Sequence, residues 1–72
     1  MPRILQVGET VFARSGDLEI EYRIVSTTGS AVTMQVTEYY RGDSFIASMV
    51  GSKITVPPSK IKHRMSGLWY KP

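Results

Sequence analysis

Two runs of strict alternation, joined by one turn, constrain this chain more than any other feature. From Leu18 to Ile24, Leu18, Ile20, Tyr22 and Ile24 alternate with Glu19, Glu21 and Arg23, a period of two that sets one face on a core and the other in water. After the turn-forming Ser26-Thr27-Thr28-Gly29-Ser30, Val32, Met34 and Val36 alternate with Thr33, Gln35 and Thr37. The pair predicts an antiparallel hairpin with its apolar faces packed together.

Shorter extended runs flank it. Val7-Gly8-Glu9-Thr10-Val11-Phe12-Ala13-Arg14 opens with a glycine turn and enters a strand in which Val11 and Ala13 share a face, and Ser15-Gly16-Asp17 breaks it. Glu38 to Ser44 is polar and turn-forming, and the adjacent Tyr39 and Tyr40 must face opposite ways in extended backbone. Arg41-Gly42-Asp43 within it reads as a turn. Phe45 to Val50 is apolar enough for a fourth strand, and Ile54-Thr55-Val56 resumes after Gly51-Ser52-Lys53. Pro57-Pro58 cannot donate to a ladder, so a one-turn element, 3₁₀ in character, precedes a last strand over Ile61 to Met65. Ser66 to Pro72 is a tail that either packs back through Leu68 and Trp69 or stays mobile. The fold expected is all-β, a single small barrel of about five short antiparallel strands with a proline-bearing one-turn element before the last. Its parts are an arm over residues 1–6, the barrel over 7–65 and the tail over 66–72.

Composition narrows the function classes. Seventy-two residues bury only roughly 60% of their unfolded surface, which leaves little room for an enzyme pocket and gives so small a domain reason to pair as a homodimer. With one histidine, no cysteine and no spaced carboxylate pair, neither catalysis nor a metal or other cofactor is expected. Glu19 and Glu21 read as solvated charges on a polar face. No signal-like or membrane-spanning run is present, and the absence of cysteine suits a reducing compartment, so the expected location is cytoplasmic.

Charge is segregated. Residues 1–43 carry four basic and six acidic side chains, whereas Lys53, Lys60, Lys62, Arg64 and Lys71 follow Asp43 with no carboxylate among them. A period of two over Lys60-Ile61-Lys62-His63-Arg64-Met65 aligns Lys60, Lys62 and Arg64 on one face, with His63 on the apolar one. Such a row suits a phosphate backbone, or protects an edge strand from aggregation. Trp69 either stacks on unpaired bases or caps the core, and Tyr70, beside Lys71 at the chain end, is expected at the surface. Lys60, Lys62, Arg64, Lys71, Trp69 and Tyr70 are thus the candidate nucleic-acid contacts. Tyr39, Tyr40 and Arg41 form a second candidate surface, suited to a protein partner.

Val7-Gly8-Glu9-Thr10-Val11, Ser15-Gly16 with Ile24-Val25, and Val56-Pro57-Pro58-Ser59-Lys60-Ile61 together resemble the SH3-like small barrels over about Val7 to Met65, with a first half similar to KOW-type modules. Related barrels include Tudor domains, so the resemblance implies a binding module without choosing its ligand. Val7-Gly8-Glu9-Thr10 before a hairpin also resembles, to a lesser extent, the carbon storage regulators, which implies an RNA-binding β dimer. The leading expectation is a non-enzymatic module that binds DNA or RNA through its basic end. The alternative is a protein-interaction module or small inhibitory protein using the aromatic loop or a sheet edge, with the basic end steering it to an acidic protein surface.

Overall fold

The computed structural model describes residues 5–62 and 67–70. The chain is all-β: among these residues β1 (Thr10–Ser15), β2 (Leu18–Thr27), β3 (Val32–Arg41), β4 (Ser44–Phe45), β5 (Lys53–Val56), β6 (Ile61–Lys62) and β7 (Gly67–Tyr70) make one sheet. Its order is β4-β3-β2-β1-β7-β6, with β5 also on β3; every pairing is antiparallel except the short β6–β7 contact. Val11, Ile24, Val32, Met34 and Ile61, from strands at both ends of this order, fall in one buried cluster, so the sheet curls on itself. No helix of the described residues is long and apolar enough to cross a membrane.

The alternating hairpin forms as its pattern requires. Val11, Ile24 and Met34 are 0% exposed, and Tyr22, Val32 and Val36 are buried with them. Gly16 and Gly42 each sit at φ +60°, the conformation that lets Gly16-Asp17 and Gly42-Asp43 turn the chain in two residues. The two turns are neighbours, since Gly42 N–H donates to the Asp17 carbonyl at 2.7 Å. Arg41-Gly42-Asp43 is therefore a hairpin turn.

Among the described residues, seven strands replace the expected five or so. The first reason is a bulge in β3: Glu21 pairs with Glu38 but Tyr22 pairs with Val36, which leaves Thr37 as an extra residue. Its hydroxyl lies 3.2 Å from the Glu21 carbonyl and 2.8 Å from Glu21 Oε2, filling the gap in the ladder. On the edge of β3 away from β2 the ladder is interrupted beside this bulge, so only Phe45 of the apolar run Phe45–Val50 is in strand, and the run is not the fourth strand that its apolar character suggests. Ile46 N–H reaches the Tyr39 carbonyl, the chain lifts off as a 3₁₀ turn over Ala47–Met49, and Gly51 N–H rejoins the Val36 carbonyl. Phe45, Met49 and Val50 are left exposed.

The second reason is at the C-terminal end. Gly67–Tyr70 is a strand against β1, with Val11 opposite Tyr70 and Ala13 opposite Leu68. At the other end Leu5, placed in the arm by the sequence, is only 9% exposed and belongs to the core.

The bulge also resets the phase of β3. Past Thr37 the core-facing position passes from even to odd residues, so Tyr39, opposite Ile20, packs on the core and Tyr40, opposite Glu19, lies on the outer face. A second irregularity, at Val25 of β2, restores the register near the Thr28–Ala31 turn.

This packing shifts the titration of Tyr22. Burial, reinforced by the neighbouring Tyr39, raises its phenol above the ordinary value of 10.0. The neutral form is favoured in the folded state, so between pH 10.0 and the folded value the unfolded chain loses a proton that the native chain keeps. Stability is expected to be unaffected by this group below about pH 10 and to fall above it. Thermal melts from pH 8 to 12 should show that decline, and a Tyr22→Phe chain should lack this group's share of it.

Candidate functional site

The outer face of the curled sheet gathers residues from five strands. Phe12 stands opposite Trp69 on one side and Glu21 on the other, and Glu21 stands opposite Glu38. One step along, Arg14 is flanked by Gly67 and Glu19, Glu19 by Tyr40, and Tyr40 by Phe45. The result is an open groove of about 330 Å³ lined by Phe12, Arg14, Glu19, Glu21, Glu38, Tyr40 and Trp69, with Ala13 and Ile20 at its floor.

Two aromatic pairs border it. Phe12 and Trp69 lie 4.9 Å apart, tilted by 31°, and Tyr40 meets Phe45 edge-on at 5.3 Å. Phe45 is 49% exposed, an aromatic surface at the rim that the fold leaves uncovered. Trp69 Nε1 is buried without a hydrogen-bond partner among the described residues.

The groove is acidic. Three carboxylates face one guanidinium, and Arg14 Nε is committed to Glu19 Oε1 at 3.5 Å. Glu21 and Glu38 are directly opposite, an arrangement that disfavours a strand pair. The Thr37 hydroxyl is the hydrogen bond to this pair among the described residues.

The predicted site residues are scattered across this architecture. Trp69 is on the outer face, in the groove. Tyr70, expected at the surface, instead packs against the core opposite Val11, because pairing with β1 puts Leu68 and Tyr70 in phase with Val11 and Ala13. Tyr39 is likewise half-buried against the core, while Tyr40 lines the groove and Arg41 is exposed at the end of β3. Lys60 and Lys62 are exposed, but they are not successive positions of one strand. Pro57 and Pro58 fix a 3₁₀ turn that Lys60 N–H closes onto the Pro57 carbonyl at 3.0 Å, and strand begins only at Ile61. Lys62 stands next to Trp69, yet its ammonium turns back to the Ser59 carbonyl at 3.0 Å. His63, Arg64 and Lys71 lie outside the described residues.

Phe12, Glu21, Glu38 and Phe45 are absent from the predicted site. Phe12 carried a usable signal, since an aromatic between Val11 and Ala13 must occupy the face opposite the core. Glu38 carried none, because its position beside Glu21 depends on the bulge. Among the described residues no group of three or more His, Cys, Asp or Glu side chains is arranged to hold a metal. No protein-family model, curated protein or solved structure matches this chain, so its own residues carry the functional argument.

Proposed function

We propose that this chain is a non-enzymatic binding module of the SH3-like small-barrel type, which holds a protein partner on its outer sheet face. The barrel type is supported by the order β5-β3-β2-β1-β7 and by the 3₁₀ turn that carries the chain from β5 across to β6. Its lack of cysteine fits a reducing, cytoplasmic setting. The observation that carries the protein-partner reading is that Phe12, Trp69, Tyr40 and Phe45 surround carboxylates. Exposed aromatic surface rimmed by polar groups suits protein interfaces. A phosphate backbone entering the same groove would meet Glu19, Glu21 and Glu38.

A second reading, nucleic-acid binding along the β6 edge, is supported by the exposed Lys60 and Lys62, the latter paired with Trp69. One experiment compares the two. A pull-down with this chain as bait is expected to capture a partner that survives nuclease treatment, is lost with Tyr40→Ala or Phe45→Ser, and persists with Lys60→Ala/Lys62→Ala. Capture that disappears with nuclease and with the lysine variant, with affinity falling steeply between low and moderate salt, would replace the first reading by the second.

A further inference from the structure

The protein-partner reading leaves open what the partner presents, and the groove's charge answers it. A neutral apolar ligand would cover Glu21 and Glu38 and leave two opposed carboxylates desolvated, which is costly. An anion would add to their repulsion. A cation relieves it and gains from the aromatic rings on either side. Among protein cations a guanidinium fits best: it is planar, stacks on aromatic faces and donates to two carboxylate oxygens at once, whereas an ammonium is a more strongly hydrated point charge. The volume of about 330 Å³ is at the small end of ligand pockets, suited to one side chain of a segment that passes across the rim.

The chain's own cations leave this seat free among the described residues. Arg14 is drawn to Glu19 at one end of the groove, and Lys62 bonds its own turn. Phe45 and Tyr40, continuous with the groove, offer the flanking surface on which apolar residues beside the inserted cation would rest.

Resting on the protein-binding reading, we infer that the groove formed by Phe12, Tyr40, Trp69, Glu21 and Glu38 is the seat for an arginine side chain of a basic partner segment. Trp69 is the sole tryptophan of the chain, so its emission reports directly on occupancy. Titration with a capped Gly/Ser peptide carrying one arginine is expected to change that emission saturably, while the same peptide with citrulline or glutamate leaves it unchanged. Glu21→Gln and Glu38→Gln should each weaken binding by up to about fivefold, with melting curves preserved because both changes are isosteric. Added salt should weaken it further.

Equal response to arginine and citrulline, no response to arginine at any concentration up to about 10 mM, weaker than most specific ligands, or indifference to both glutamine variants would overturn the inference. So would quenching by a single-stranded oligonucleotide in place of the peptide, or a change on dilution of the chain alone, which would mean a second copy occupies the face. The arginine seat and the protein-binding module can fail separately. If the captured protein partner depends on Tyr40 and Phe45 but not on Glu21 or Glu38, the arginine seat falls and the protein-binding module stands.

Discussion

A chain ending at residue 66 is expected to lose its cooperative fold. The missing segment contains β7, whose Leu68 and Tyr70 pack on the core and whose backbone pairs with β1 from Val11 to Arg14. Fully burying an apolar side chain is worth about 1.5–3 kcal/mol, so the two half-buried ones together approach that range. Removing the strand also strips the ladder from one edge of β1. Total stability at about 0.05–0.15 kcal/mol per residue is roughly 4–11 kcal/mol for a domain of this length, so the loss consumes a large share of it. The freed edge of β1, with Val11 and Phe12, would also invite intermolecular pairing. Circular dichroism melts should show no cooperative transition, or aggregation, for residues 1–66, while the full chain melts cooperatively. A truncated protein melting within a few degrees of the parent would show that β7 contributes little.

Ile24→Ala is expected to have an effect of similar size from a single side chain. Ile24 is 0% exposed, its N–H donates to the Glu9 carbonyl and its carbonyl accepts from Gly8, while β3 pairs along its other edge at Met34, so the backbone is held in place and cannot readily collapse into the space vacated. Truncating a buried isoleucine costs about 2–5 kcal/mol, which leaves a domain of this size at or near the unfolding threshold. Urea titration should place the midpoint far below that of the parent. The adjacent Arg23, on the outer face and exposed, serves as control: Arg23→Ala should shift stability by no more than about 0.5 kcal/mol. Comparable losses at the two positions would contradict the assignment of faces.

The strands that alternate were legible because their pattern is local. Leu18 to Ile24 and Val32 to Val36 state which face is inside, and the structure packs Ile20, Tyr22, Ile24, Val32, Met34 and Val36 on the core, with Leu18 half-buried at the end of β2 outside the cluster. Pro57-Pro58 was equally explicit, since a residue that cannot donate must end a ladder. The apolar run Phe45–Val50 misled because apolarity measures tolerance for burial, and burial requires a neighbour. The bulge on β3 removes that neighbour, so those residues turn outward. The same displaced residue reverses the roles of Tyr39 and Tyr40 and brings Glu38 beside Glu21.

The cationic candidates show the corresponding limit. Lys60 and Lys62 are correctly exposed, but period-two spacing implies a shared face only within one strand, and Lys60 belongs to the 3₁₀ turn. For Trp69 and Tyr70, alternation requires opposite faces and cannot name which is inside. Register with β1 decides it: Tyr70 meets Val11, so Trp69 meets Phe12.

By itself the sequence determined that this chain is all-β, that its centre is the Leu18 to Val36 hairpin, and where its turns and proline stop fall, because each follows from the conformational preferences of neighbouring residues. The tertiary structure alone decided which aromatics lie on the outer face and that they surround carboxylates. That decision rests on pairings between strands distant along the chain and on one extra residue, Thr37, which shifts the phase of everything after it.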